Sequence, residues 1–359
     1  MIKKLDLYII KKFLGTFFYA IALIIIVVII FDISEKIDDF ISKNAPLSKI
    51  IFNYYFNFIP YFINLFSPLF TFIAVIFFTS KMASNTEIVA ILNSGISFRR
   101  MLLPYMVSAA IIGLMTFYLA NFLIPKVNVH RLAFEKEYIF NKGSSSESNI
   151  HLQIEKGTYL YLESYDNANN TGYHFSIEKI NDNGLFFKLT SDQISYDSTK
   201  NKWQIRNYTI RTIDGINEKF IRGNVLDTNI SITPSDFSKK SKDVETMDYS
   251  QLRKFIKQEQ LRGSDRIKFY EVEKYQRISY PFATIVLTLI GVAISSRKVR
   301  GGIGIHLAYG LIITFSFILF MKISTVFATF GNLPAFISVW IPTLLFGLLA
   351  IYLIKKAPK

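Results

Sequence analysis

Apolar residues are concentrated in long runs at both ends of the chain, and a polar stretch of 152 residues, 126–277, separates the two ends. A helix needs about 20 mostly apolar residues to cross the hydrocarbon core of a membrane. Six runs approach or exceed that length: 13–31, 50–79, about 102–124, about 278–296, about 303–325 and about 334–354. The pattern predicts six transmembrane helices, three on each side of the polar stretch.

The residues that flank the first and third runs predict where these spans begin and end. Residues 1–12 place apolar side chains on one helical face among four lysines, which is typical of an interfacial helix leading into a membrane. The first run is longer than the apolar part of a signal peptide, and no small-residue cleavage site follows it, so we expect it to be retained. Pro125 predicts the end of the third span. An acidic, mobile loop is predicted at 32–49 from Asp32, Glu35, Asp38 and Asp39.

The polar stretch changes to a period of two between residues 150 and 235. Alternating polar and apolar side chains predict short strands, and turns rich in Asn, Asp and Gly separate them. The predicted strands lie within 151–155, 158–163, 173–177, 185–196 and 202–213. Such strands favour an antiparallel sandwich or roll. A helical pattern returns after Pro234, and Gly263 is a predicted helix stop.

The predicted fold class is therefore a polytopic α-helical membrane protein with an inserted antiparallel β domain. Residues 1–125 would form the N-terminal membrane half, with spans one to three. Residues 126–277 would form the β domain with flanking helices. Residues 278–359 would form the C-terminal membrane half, with spans four to six.

The formal net charge of +14 invites a nucleic-acid interpretation, but the distribution of charge does not support it. The polar stretch holds 24 Lys/Arg and 21 Asp/Glu, so the excess of cations lies between and beside the apolar runs. Cations in the N-terminus, the loops 80–101 and 296–302, and the tail share one side of a six-span topology. The positive-inside rule then predicts cytoplasmic termini and a periplasmic β domain in a bacterial inner membrane.

The sequence offers little catalytic chemistry. It contains no cysteine, which excludes disulfides, thiolate nucleophiles and Cys-based metal sites. The glycine-rich segment 301–304 lacks the Lys and Ser/Thr of a nucleotide-binding P-loop. The four histidines are scattered and form no HExxH motif. We therefore expect no catalytic residue, no metal and no cofactor.

Charged residues are rare inside the predicted spans. Ion-coupled carriers usually hold such residues at mid-membrane, so the pattern does not favour a carrier of that kind. Lys322, near the outer end of the fifth span, is the exception, and Lys36 and Lys43 follow the first span. Lys322 can be interpreted as a lysine whose amine reaches up to the interface, or as a contact to an anionic ligand of the outer leaflet.

The loop between spans two and three contains a predicted short helix at about 85–94. Asn85 or Thr86 can cap it, Glu87 suits its positive N-terminal end, and Gly95 can end it. Its apolar face would consist of Ile88, Ile91 and Leu92. A helix of this kind could dock into a groove of a cytoplasmic partner, or it could lie on the membrane surface.

Four motifs, taken in order, carry a resemblance that covers essentially the whole chain. They are Leu5-Asp-Leu-Tyr-Ile9, Glu87-Ile-Val-Ala-Ile-Leu-Asn-Ser-Gly-Ile-Ser97, Thr233-Pro-Ser-Asp-Phe237, and Tyr270–Pro281 followed by Arg300-Gly301. In this order and spacing they resemble the LptF/LptG (YjgP/YjgQ) family of lipopolysaccharide-export permeases. The resemblance implies three spans on each side of a periplasmic β-jellyroll-like domain.

The resemblance also implies a function and partners. A paralogous permease subunit would pair with the chain around a cavity open to the outer leaflet. A cytoplasmic ATPase dimer, LptB-like, would dock on the coupling helix at 85–94 and hydrolyse ATP, so this chain would not itself be an enzyme. Lipopolysaccharide would pass to periplasmic bridge proteins, LptC/LptA-like. Glu87 would face the ATPase, and Lys36, Lys43 and Lys322 are candidate contacts to lipid phosphates by their position.

Two alternative functions remain open at this stage. The first is a membrane protein that mechanically couples a cytoplasmic ATPase to a periplasmic domain without transport. The second is a membrane enzyme that acts on lipid. The second would need a cluster of acids, bases or metal ligands, which the sequence does not show.

Overall fold

The computed structural model describes residues 3–139, 146–166, 169–198, 200–237, 241–261, 263–264, 266–299 and 302–357. The Arg300-Gly301 pair of the fourth motif and the tail residue Lys359 lie outside the described residues. The chain forms two compact units, Met1–Phe134 with Lys268–Lys359, and Glu135–Ile267. The first unit contains the apolar helices and the second contains the β sheet.

The N-terminal helices extend beyond the apolar runs that predict them. The elements are α1 (Lys4–Ser42), α2 (Leu47–Lys49), a π-helical segment (Ile50–Tyr55), α3 (Phe56–Ser84), α4 (Glu87–Asn93), α5 (Phe98–Tyr118), a second π-helical segment (Leu119–Leu123) and α6 (Ile124–Tyr138). The helix from α2 to α3 is continuous, as is the helix from α5 to α6. They form the second and third spans, and α1 forms the first.

Two predicted ends in this region are wrong. The acidic residues at 32–39 do not lie in a loop but continue α1, where Asp32 and Lys36 form an i,i+4 ion pair at 2.5 Å that supports the helix. The third span does not end at Pro125. The π-helical segment before this proline already breaks the regular hydrogen-bond ladder, so the missing N–H of Pro125 is tolerated and α6 continues to Tyr138.

The β domain is a single six-stranded antiparallel sheet. Its strands are β1 (Ser146–Glu155), β2 (Thr158–Asp166), β3 (Thr171–Asn181), β4 (Gly184–Asp197), β5 (Lys202–Asp214) and β6 (Asn217–Thr228). Each strand pairs with its neighbours in sequence, so the described strands form a meander and not the crossing connections of a jelly roll. The inserted antiparallel domain is confirmed, and β6 is a sixth strand beyond the five that the alternation predicts.

One face of the sheet carries the apolar core of this unit. The core includes Leu160, Leu162, Tyr165, Phe175, Ile177, Leu189, Ile194, Trp203 and Ile205. The Thr233–Phe237 motif closes this core: Phe237 packs against the Trp203 ring, and the Trp203 indole N–H donates to the Ile232 carbonyl at 2.7 Å. The motif therefore follows the sheet because Phe237 and the Ile232 carbonyl cover the buried Trp203 side chain.

Short helices follow the sheet and lead into the last three spans. They are α7 (Pro234–Phe237), a 3₁₀ turn (Ser241–Thr246) and α8 (Tyr249–Leu261), after which Gly263 adopts a φ of +67° at the predicted stop. The last three spans are α9 (Ile267–Ser295), α10 (Gly302–Phe330) and α11 (Ala335–Lys356). Gly310 lets α10 approach α3 closely, since a Cβ there would lie 2.4 Å from the Ile76 side chain.

Candidate functional sites

The short helix between spans two and three is present as α4, but its N-terminus is built differently from the prediction. Thr86 is the N-cap residue with a φ of +62°, and its side chain accepts no backbone N–H of the helix. Its hydroxyl donates to the Asn85 carbonyl, so neither Asn85 nor Thr86 is a side-chain cap. Gly95 ends the segment with a φ of +83°, where its N–H donates to the Leu92 carbonyl at 3.1 Å.

The apolar side of α4 packs against the protein itself. Ile88 is only 1% exposed, and Ile91 and Leu92 pack against the same core cluster, which contains Ile9 and Phe13 of α1. The side chains that point away from the core and are exposed are Val89, Ala90 and Asn93, with Val89 51% exposed. The available surface of α4 is therefore the face opposite Ile88.

Glu87 connects α4 to the first span. Its carboxylate accepts the Tyr8 hydroxyl at 3.1 Å and the Asn85 amide at 3.3 Å. The side chain is partly exposed and lies in the first turn of α4, where a negative charge stabilises the helix N-terminus. The Leu5–Ile9 motif and the Glu87–Ser97 motif thus touch each other in the folded chain.

A second link joins the same two regions. Asp6 of α1 is buried and accepts both guanidinium nitrogens of Arg100 in α5, at 2.8 and 2.6 Å. The same carboxylate accepts the backbone N–H of Lys3 at 2.8 Å. A bidentate pair fixes both distance and orientation, so the start of α1 is held rigidly against the start of α5, immediately after α4.

The C-terminal part of α1 carries a polar cluster that we call the Asp32 cluster, formed by Asp32, Lys36, Tyr54 and Tyr55. The Asp32 carboxylate accepts the Lys36 ammonium at 2.5 Å and the hydroxyls of Tyr54 at 3.3 Å and Tyr55 at 3.1 Å. Lys36 also donates to the Tyr54 hydroxyl, and its ammonium lies 4.9 Å from the centroid of the Tyr54 ring. Tyr54 and Tyr55 belong to the π-helical segment, a feature that is frequent at functional sites.

The three lysines predicted to contact lipid phosphates lie on two helices. Lys36 is in α1, and Lys43 follows seven residues later as its C-cap, two helical turns along the same side. Lys322 is an exposed residue of α10. Lys36 is engaged by Asp32, so an incoming phosphate would have to compete with a carboxylate.

Several residues of these sites cannot be recognised from the sequence pattern. Asp6 and Arg100, Tyr8, and the partners of Lys36 emerge only from contacts between distant parts of the chain. The i,i+4 spacing of Asp32 and Lys36 is the one signal in the sequence that points to such a contact.

Two further arginines, Arg131 and Arg277, are 6% and 5% exposed in the membrane unit. Among the described residues, no group of three or more His, Asp or Glu side chains is arranged to hold a metal ion.

These features define a class of protein: a six-span membrane protein with a six-stranded antiparallel sheet inserted between its third and fourth spans. The profile of the family "Lipopolysaccharide export system permease LptF/LptG" matches residues 7–356, and the chain belongs to this family of multi-pass inner-membrane permeases. No curated protein matches the chain significantly.

Proposed function

We propose that the chain is a permease subunit of an ATP-driven transporter that extracts lipopolysaccharide from the outer leaflet of the inner membrane. The glycolipid would then pass to a periplasmic bridge. Membership of the permease family supports this function. The spans offer an apolar environment suited to acyl chains, and the inserted β domain offers a second surface on the route.

The observation that carries the proposal is the anchoring of α4. Ile88 is buried in the core, Glu87 accepts the Tyr8 hydroxyl, and the Asp6–Arg100 pair holds α1 and α5 beside it. A force applied to the exposed face of α4 would therefore move the first and third spans with it. A docked ATPase dimer would supply this force through Glu87, Val89, Ala90 and Asn93, while Ile88, Ile91, Leu92 and Gly95 would fix the helix on its own subunit.

The lipid side of the proposal assigns roles to cations at the outer ends of helices. Lys43 and Lys322 would contact lipid phosphates, and Lys36 would do so after exchange of its Asp32 partner. A paralogous permease subunit would complete the cavity. The helices α1 and α10 support this pairing, since they bury only 17% and 22% of their most apolar residues within this chain. Both termini would be cytoplasmic and the β domain periplasmic.

The test is a pull-down of the ATPase partner with variants of α4. Glu87→Arg and Val89→Asp should weaken association about tenfold or more, because the first reverses a charge and the second introduces one on the proposed interface. Val225→Asp is the matched control, since Val225 of β6 is 57% exposed and Val89 is 51% exposed. The control should associate normally. Unchanged assembly of both α4 variants would contradict the proposed docking face.

A second measurement separates transport from purely mechanical coupling. Photo-crosslinkers placed in α1 and α10 should form adducts with lipopolysaccharide in membranes that contain it. Adducts with ordinary phospholipid alone would favour a protein that couples an ATPase to the periplasmic domain without transport.

A further inference from the structure

The sheet has a second face, opposite the one that carries its apolar core. Leu160, Phe175 and Leu189 point into the apolar core, so the residues that alternate with them point the opposite way. On that opposite face the register places Tyr159 beside Glu178 of β3, and Glu178 beside Lys188 of β4. We call this surface the outer groove of the sheet.

The outer groove is a concave site with a volume of about 490 Å³. It is lined by side chains of β1 to β4, and Gly263 lies at its margin after α8. Its lining includes His151, Gln153, Tyr159, Tyr161, Glu178 and Lys188. Gly263 lies close to the Gln153 amide oxygen, since a Cβ built on this glycine would be 3.7 Å from it.

Several lining side chains are held in place before any ligand binds. The rings of His151 and Tyr161 contact each other with centroids 4.7 Å apart. The Tyr161 hydroxyl donates to the Asn149 side-chain oxygen at 3.1 Å. Lys188 and Glu178 form an ion pair at 2.7 Å. A groove whose walls are already ordered loses less conformational entropy when a ligand binds.

The chemistry of the lining selects among ligand classes. An acyl chain would remove the Glu178–Lys188 ion pair and the Gln153 amide from water, which is costly. A phosphate would meet a lysine whose charge Glu178 already balances. A sugar ring offers both an apolar C–H face for Tyr159 and several hydroxyls that can donate to Glu178 and Gln153 or accept from Lys188.

From these contacts we infer that the outer groove binds a saccharide, namely the oligosaccharide portion of the glycolipid that the chain handles. This inference rests on the proposed function for the source of the saccharide. The two faces of the sheet would then have different roles: the apolar face forms the core of the unit, and the opposite face recognises sugar. Tyr159 would stack on a ring, and the Glu178–Lys188 pair would orient its hydroxyls.

The test uses the full chain in lipid nanodiscs that lack lipopolysaccharide. The probe is the core oligosaccharide released from lipopolysaccharide by mild acid, and binding is measured by saturation-transfer NMR with inorganic phosphate as a separate competitor. Tyr159→Ala should weaken binding about tenfold or more, consistent with the loss of a stacked aromatic anchor. Glu178→Gln should also weaken binding, and phosphate should not compete.

The matched control is Tyr173→Ala, because Tyr173 of β3 is 42% exposed, Tyr159 is 43% exposed, and Tyr173 does not line the groove. The control should bind normally. Equal binding by Tyr159→Ala and the unchanged chain, or competition by phosphate, would overturn the saccharide assignment. Failure of the proposed function would look different, because the oligosaccharide would bind while crosslinkers in α1 and α10 capture no lipopolysaccharide.

Discussion

The contact between Asp32 and Lys36 changes the role that the sequence alone predicts for Lys36. Taken alone, Lys36 is a lysine at the end of an apolar span, which suits a contact to lipid phosphate. In the folded chain its ammonium is bound by Asp32 and Tyr54. Removing one partner of a buried ion pair lowers the stability of the folded protein, because the other charge is left without compensation.

We expect the two residues to show strong coupling in a double-mutant cycle. Asp32→Asn and Lys36→Met should each lower the melting temperature of the purified protein. The double variant should lower it by less than the sum of the two, with a coupling free energy of about 1 kcal/mol or more. Thermal unfolding in one fixed detergent measures all four proteins. Strictly additive losses would mean that the ion pair does not form in solution.

At the scale of secondary-structure elements, the central feature is the connection of α1, α4 and α5. The Asp6–Arg100 pair and the Tyr8–Glu87 hydrogen bond join segments that lie far apart in the sequence. Both contacts lie next to α4, the helix on which the proposed ATPase would act. If they transmit force, their loss should separate ATP hydrolysis from transport and leave assembly intact.

Asp6→Asn tests this role in the reconstituted transporter. Lipopolysaccharide released per ATP hydrolysed should fall about fivefold, a typical size for the loss of coupling between two sites. The ATPase should still be recovered in a pull-down. The exchange Asp6→Arg with Arg100→Asp should restore part of the loss, since it recreates the pair with opposite polarity.

The Arg211–Glu218 pair provides a matched control for this experiment. It is also an arginine–carboxylate pair, but it joins β5 and β6 on an exposed surface, and the guanidinium lowers the pKa of the Glu218 carboxyl. Exchanging Arg211 and Glu218 should leave transport per ATP unchanged, because exposed pairs contribute little to stability. A similar loss in both exchanged pairs would indicate a general effect of charge and not force transmission.

The sequence predicts elements well where one periodicity dominates, and poorly where tertiary contacts decide. Long apolar runs identify all six spans, and alternation identifies five strands of the sheet. Strand β6 was missed because it is an edge strand with most side chains exposed, so its alternation is weak. The direction of Ile88 was not predictable either, since a seven-residue helix can turn its apolar face towards a partner or towards its own core.

For the whole molecule, function depends on which side of the membrane holds each unit. The positive-inside rule predicts that α4 is cytoplasmic and that the β sheet is periplasmic. The chain contains no cysteine, so a single introduced cysteine reports its own compartment without background. Two exposed positions suit this purpose: Ser94, directly after α4, and Ile216, 99% exposed in the turn between β5 and β6.

In cells with a permeabilised outer membrane, a membrane-impermeant maleimide should label Ile216→Cys at once. It should label Ser94→Cys only after the inner membrane is lysed. Both variants should react equally in detergent, which controls for local reactivity. Labelling of both positions in unlysed cells would place α4 and the sheet in one compartment. A cytoplasmic ATPase could then not act on α4 while the sheet receives lipid on the opposite side, and the proposed export mechanism would fail with the topology.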